Sequence, residues 1–307
     1  MQNSEVDIRP IFPPELERDI FERAARTCPD TGVVLALVSR RVHLWIEPII
    51  YETVTLSNDI IRARFCRTID NRPRSFFVEH VKSLCIPGDI DPMVAGRILS
   101  TCQGVVNLAY WIEVGPPFFS KIASLRPKRL SINIRGLFGE GPPDFAHPFF
   151  RNVSHLELVD WPWMGDSTGL ALLPHLTHLG VDLNHYDSSI INRLRHILQS
   201  CGSLLVLLCL VPSDDAMMEA SDALAILNDD RLVILSDSDV LENWEASLFD
   251  GSDACQWDFA EDIVYQRKRE SSLADGAFSI KTPMQSCAPA NPTADSRQVL
   301  FESQVTP

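Results

Sequence analysis

"VSHLEL", residues 153–158, returns 23 residues later as "LTHLGV", residues 176–181. Each copy places apolar residues first, fourth and sixth: Val153, Leu156 and Leu158, then Leu176, Leu179 and Val181. Upstream, "VKSLCI" (81–86) and "VVNLAY" (105–110) repeat the spacing. "PKRLSI" (127–132), "LLVLLCL" (204–210) and "DRLVIL" (230–235) keep its second half. The central leucines are therefore Leu84, Leu108, Leu130, Leu156, Leu179, Leu207 and Leu232, separated by 24, 22, 26, 23, 28 and 25 residues. Alternation over the last three positions is the mark of a short strand. A period this short leaves each unit unable to bury its own apolar face, so the units must stack.

The segments between strands read as helices. In "DSSIINRLRHILQSCG" (187–202), Asp187 or Ser188 can cap the start, Ile190, Leu194, Ile197 and Leu198 form an apolar stripe, and Gly202 closes the end. "DPMVAGRILSTCQG" (91–104), "PFFSKIASLRP" (117–127) and "SDDAMMEASDALAILNDD" (213–230) are similar. Strand, helix and strand at this period imply an α/β fold with parallel strands and helices on one side. The pattern resembles a degenerate leucine-rich repeat, whose units run to roughly 20–29 residues, although most copies lack the asparagine that usually follows the strand. Two loops interrupt the stack, at 135–150 and 160–169, where partners are often met. "DVLENWEASLF" (239–249) and "SDACQWDFAEDIVYQRKR" (252–269) read as two helices that close the C-terminal end of the stack. The second carries Trp257, Ala260, Ile263 and Val264 on one side.

In front of the repeats stands "FPPELERDIFERAARTCPD" (12–30). Pro13 and Pro14 suit a helix start, and Glu15 and Glu17 complement the positive end of its dipole. Leu16, Ile20 and Ala24, with Phe21 beside them, form an apolar stripe, and Cys28-Pro29 ends the helix. Asp30 or Thr31 caps a second helical stretch that carries Val34, Val38, Val42 and Trp45 and stops at Pro48. Val54 and Leu56 then alternate as an incoming strand. Such short helices bury little area alone, and a unit of this size usually needs a partner or a neighbouring domain.

"PPELERDIF" (13–21), "LALVSRRVHLWI" (35–46) and "EPIIYETVTL" (47–56) together resemble the F-box, most closely its fungal F-box-like form. Phe12 stands where the family prefers leucine, and Trp45 comes later than the family's usual aromatic. The resemblance implies a three-helix unit that docks a Skp-type adaptor of a cullin–RING ubiquitin ligase, with the following domain presenting a protein substrate. It implies that Pro13, Leu16, Ile20, Phe21 and Val38 face the adaptor or the small core of the unit. The organisation expected is a disordered N-terminus over 1–11, an F-box-like helical unit over 12–56, a leucine-rich-repeat-like domain over 57–269 and a disordered tail over 270–307.

Charge and composition narrow the alternatives. The 307 residues carry a formal net charge of −14, which disfavours nucleic acid and an anionic membrane surface as partners. With 45% hydrophobic residues the chain can bury a sizeable core. No apolar run reaches 18 residues, and "MQNSEVDIRP" (1–10) lacks the features of a signal peptide. The eight cysteines are scattered without a CxxC pair, and several sit in apolar runs, which suits reduced, buried thiols of the cytoplasm or nucleus. No cofactor or metal is expected. His155 and His178 occupy matching repeat positions, which reads as structural rather than metal-binding. Gly165-Asp166-Ser167-Thr168-Gly169 matches the GxSxG nucleophile elbow, but Pro174 leaves space for barely one helical turn after it. A hydrolase using Ser167 is therefore the weakest reading. A non-enzymatic ligase adaptor is the strongest, and a stand-alone interaction solenoid lies between them.

Overall fold

The computed structural model describes residues 12–113, 119–138, 143–159, 167–183, 186–236, 240–248 and 255–274. They fall into two compact units divided between Val54 and Thr55. The expected disordered N-terminus (1–11), and the expected tail from residue 275 onward, lie outside the described residues.

The first unit holds three helices: α1 (Pro14–Thr27), α2 (Pro29–Ala36) and α3 (Arg40–Ile50). Its core is Ala25, Ala36, Val42 and Ile46, with Phe21, Leu35, Trp45, Ile49 and Ile50 packed around them. The expected stripe on α1 is displaced by about a quarter turn. Phe21 and Ala25 face inward, whereas Leu16 and Ile20 stay exposed. The second helical stretch is also broken in two. Ser39 takes extended backbone and its Oγ accepts a hydrogen bond from the Val42 amide, starting α3 afresh after the turn at Leu37 and Val38. Pro48 does not stop α3, which runs on to Ile50. A proline in the last turn removes a single backbone hydrogen bond, and the carbonyl it deprives belongs to exposed Leu44. Glu17 pairs with Arg41 across α1 and α3, and Arg41 lies 5.2 Å over the Trp45 ring.

The second unit is α/β, and its sheet is laid down in chain order from a first strand that straddles the division between the units. Strands β1 (Thr53–Thr55), β2 (Ser83–Ile86), β3 (Asn107–Tyr110), β4 (Arg129–Asn133), β5 (His155–Val159), β6 (His178–Asp182), β7 (Val206–Val211) and β8 (Leu232–Ser236) stand side by side in that sequence. Every pair from β2–β3 to β7–β8 is parallel. In this register Leu84, Leu108, Leu130, Leu156, Leu179, Leu207 and Leu232 are direct neighbours, one per strand, and all are buried. The periodic leucines of the sequence are thus one continuous row.

Between the strands lie α4 (Asp59–Asn71), α5 (Arg74–His80), α6 (Pro92–Thr101), α7 (Phe119–Ile122), α8 (Ile134–Phe138), α9 (Ser188–Ser200) and α10 (Asp214–Leu224). Asn58, Asp91, Asp187 and Ser213 cap α4, α6, α9 and α10 through side-chain oxygens that accept first-turn amides. Ile190, Leu194, Ile197 and Leu198 of α9 are buried as their spacing predicts. Buried Arg62 fixes the entry to this unit by donating to the Leu56 carbonyl (3.0 Å) and pairing with Asp59 and Asp89.

In the 135–150 stretch, residues 139–142 lie outside the described residues, and the parts on either side contribute to the core rather than to an open loop. Phe145, Phe149 and Phe150 are buried and, with Phe119 and Phe138, form a ring cluster with centroids 4.9–5.8 Å apart. Gly136 lets the chain pass against the segment that follows β3, since a Cβ there would lie 1.5 Å from the Ile112 carbonyl oxygen. In the 160–169 stretch, residues 160–166 lie outside the described residues.

Shortening any leucine of the row is expected to lower stability by about 2–5 kcal/mol for Leu→Ala, read by urea denaturation. Leu156→Ala with Leu179→Ala should be non-additive, because the two leucines are direct neighbours across β5 and β6, whereas Leu84→Ala with Leu179→Ala should add. Equal, small effects at these positions would contradict a shared row.

Candidate functional site

Because strand side chains alternate, the leucine row has a companion face on the other side of the sheet. One line of that face reads Ser83, Asn107, Arg129, His155, His178 and Val206. The next reads Cys85, Ala109, Ser131, Glu157, Gly180, Leu208 and Val233. The two C-terminal helices lie on this face instead of closing the end of the stack, which corrects the sequence expectation. In α11 (Val240–Ala246), Trp244, flanked by Leu241 and Leu248, packs on Cys85 and Ala109. In α12 (Gln256–Ala274), Trp257, Ala260 and Val264, with Cys255 just ahead of them and Ile263 beside them, pack on Val206, Leu208, Leu210 and Val233. The apolar spacing of α12 was legible. Its destination was not, because the sequence pattern does not distinguish one apolar face of a sheet from the other. α12 also runs to Ala274, past the expected start of the tail at 270.

The polar centre of this face is an imidazole pair. The rings of His155 and His178 are parallel, with centroids 4.1 Å apart, and the Trp257 ring stands perpendicular to both at 5.6 and 5.7 Å. Nδ1 of His155 contacts Ser154 Oγ (3.0 Å), and Nδ1 of His178 contacts Thr177 Oγ1 (2.9 Å). Glu261 Oε1 of α12 lies 2.7 Å from His178 Nε2. Arg129, next in line to His155, donates to the Ser247 carbonyl and so ties β4 to the chain just after α11. Burial pushes the His155 imidazole down to about 3, helped by the nearby His178 and Arg129. Burial also holds His178 below its ordinary range, with Glu261 partly opposing it. Both rings are therefore neutral at pH 7. Among the described residues no group of three or more His, Cys, Asp or Glu side chains is arranged to hold a metal.

The residues singled out for adaptor docking lie in the first unit. Leu16, Ile20 and Val38 are 53%, 52% and 59% exposed, and Pro13 is exposed as well. Phe21 belongs to the unit's own core. Phe12, Val34, Leu37 and Leu44 add further exposed apolar side chains that the motif did not single out. The GxSxG stretch gives little to catalysis. Gly165 and Asp166 lie outside the described residues, and from Ser167 the chain forms a 3-10 helix to Leu172, not the long α-helix an elbow requires. Gly169 sits against Phe145, whose ring a Cβ would meet at 2.9 Å. Burial raises the thiols of Cys85, Cys201 and Cys209, and pushes Cys102 up to about 12. These are packing groups rather than nucleophiles. Cys28, by contrast, is exposed.

The architecture defines an α/β protein with an eight-stranded parallel sheet that follows a helical N-terminal unit in the sequence. Compared with known proteins, the chain matches no family model, no curated protein and no solved structure.

The imidazole pair makes stability depend on pH with a definite sign. The folded-state pKa of His155 lies below the unfolded value near 6.5, so acid adds a proton to the unfolded chain that the folded chain refuses. The contribution is intact above pH 6.5 and is lost as pH falls from there towards 3. Between pH 7 and pH 5, His155 alone should remove roughly 2 kcal/mol. His155→Asn should lose correspondingly less over the same interval, read by urea denaturation at both pH values. An identical loss in both proteins would contradict the neutral, buried imidazole.

Proposed function

We propose that the first unit is an F-box-type docking module for a Skp-type adaptor, and that the chain is a non-enzymatic substrate-recognition subunit of a cullin-type ubiquitin ligase. The second unit is then a degenerate leucine-rich-repeat solenoid that holds the substrate. The observation that carries the reading is the exposure of Leu16, Ile20 and Val38 on a small unit whose core is already closed by Ala25, Ala36, Val42 and Ile46. Leucine, isoleucine and valine left half in water on a small helical unit are what a docking face needs, because covering them on association supplies the driving force. They stand at positions that the F-box resemblance assigns to the adaptor or to the unit's small core, and their exposure favours the adaptor. The in-register leucine row supports the repeat reading of the second unit, since parallel strands one repeat apart are the geometry that class of solenoid uses.

Because both side chains are exposed, Leu16→Asp with Ile20→Asp should leave the unit folded. The double variant should lose capture by an immobilised Skp-type adaptor, each anchor contributing roughly 2 kcal/mol or more. Met218→Asp, at an exposed position of α10, should bind as the unaltered chain does. Undiminished capture of a folded double variant would sink the docking face. Absence of capture by the unaltered chain would leave the stand-alone interaction protein in its place.

A further inference from the structure

We infer that the edge of the sheet at the N-terminal ends of β2 to β5 is a docking surface for an extended, carboxylate-rich segment of a protein, held by Lys82, Arg126, Lys128 and Arg151. The inference rests on the reading of the second unit as the part that holds substrate, and it names that substrate's chemistry.

The fold sorts the charges of the chain. Aspartate and glutamate make up 41 of the 307 residues, yet none stands in the segments that lead into β2 to β7, which are 81–82, 101–106, 123–128, 150–154, 173–177 and 200–205. At the other ends of these strands carboxylates recur: Asp89 and Asp91 after β2, Glu113 after β3, Asp187 after β6, and Asp214 and Asp215 after β7. Because the strands are parallel, the first set of segments shares one edge of the sheet and the second set the opposite edge. A scattered feature of the sequence thereby becomes a rim free of carboxylates, on a chain whose net charge is −14.

The cations of this rim have no acidic partners. Arg126, Lys128 and Arg151 are exposed and Lys82 is half-buried, and among the described residues none of the four forms an ion pair. Arg126 donates to the Ala123 and Leu125 carbonyls of its own loop (3.1 and 2.7 Å), and Lys82 to the Val78 carbonyl (3.3 Å). These contacts fix the side chains and leave their charge uncompensated. Elsewhere Arg18, Arg26, Arg41, Arg62, Arg97 and Arg231 each meet a carboxylate. A helix dipole does not account for Arg126 and Arg151, since the elements ahead of them, Phe119–Ile122 and Pro148–Phe150, are single turns.

The rim is also rigid. The Val106 amide donates to the Lys82 carbonyl (2.8 Å), Lys128 to Val106 (2.7 Å), Ser154 to Lys128 (2.9 Å), Thr177 to Ser154 (3.0 Å) and Leu205 to Thr177 (2.7 Å). At the usual strand spacing the backbones of Lys82 and Lys128 are about 10 Å apart, and the segment carrying Arg151 is about 14 Å from Lys82. An extended peptide advances about 3.3 Å per residue, so about four residues span this length. Carboxylates on it would meet ammonium and guanidinium groups in charge-assisted hydrogen bonds. A nucleic-acid duplex suits the rim less. It carries about one charge per 1.7 Å and would run on past Ser154, over a rim without further cations, to Asp229 and Asp230.

The test measures peptide binding to the full chain, without an adaptor, by fluorescence anisotropy. A labelled peptide with four consecutive glutamates should bind at least tenfold more tightly than its glutamine counterpart, and Lys82→Glu with Lys128→Glu should remove that advantage. Arg23→Glu with Arg40→Glu, the same change of net charge at exposed positions of the first unit, should keep it. Should the rim reversal fail to fold, Lys82→Gln with Lys128→Gln should still lower affinity at least threefold. Equal binding of the two peptides, equal loss in both charge-reversed chains, or no loss in a folded rim variant would overturn the proposal. Tighter binding of an oligothymidylate of equal charge would give the rim to nucleic acid and overturn it, and self-association abolished by the same substitutions would give it to a second copy and do the same. Because no adaptor takes part, failure here would leave the docking face of the first unit standing.

Discussion

Leu84, Leu108, Leu130, Leu156, Leu179, Leu207 and Leu232 lie side by side on seven neighbouring strands, and each is covered partly by the next. A single strand-and-helix unit of this length cannot bury its own leucine, so the units are stable only as a stack. From that constraint follow the chain-order sheet and the right-handed crossovers expected of parallel strands. The opposite face follows too. Once one set of alternate residues is committed to the leucine side, the other set must face outward. The chain meets that consequence by returning its last two helices over the outward set.

What is buried beneath those helices differs from what lies on the leucine side. The leucine row is almost wholly apolar, whereas the outward face mixes Val206, Leu208 and Leu210 with Arg129, His155, Glu157 and His178. Burying imidazoles is tolerated because they can be neutral, and the pair here is held neutral by desolvation above all.

The leucine spacing was sufficient to read the strand order and register, because a period near 24 residues admits few other topologies. Asp187 and the 190, 194, 197 and 198 stripe were equally plain, since a cap and an amphipathic face are local features. The failures were non-local. The small residues Cys85, Ala109, Ser131 and Gly180, on one line with Glu157, become visible together only once the register aligns them, and they are the signal that could have placed Trp244 and Trp257. The glycine-containing 135–150 stretch looked like a loop, yet its phenylalanines converge from both ends into a cluster. In the first unit the helix faces were misjudged by a quarter turn. Leu16 and Phe21 are both good core residues by type, and only the packing of Ala25 against Val42 and Ile46 decides which points inward.

The functional account rests on Leu16, Ile20 and Val38 being exposed because a partner covers them. Isothermal titration of the purified chain with a Skp-type adaptor at several temperatures tests this most directly, since covering apolar surface leaves a negative heat-capacity change. The account predicts a one-to-one complex whose binding enthalpy becomes steadily more favourable as temperature rises. No complex at micromolar concentrations, or a complex whose enthalpy does not vary with temperature, would contradict it.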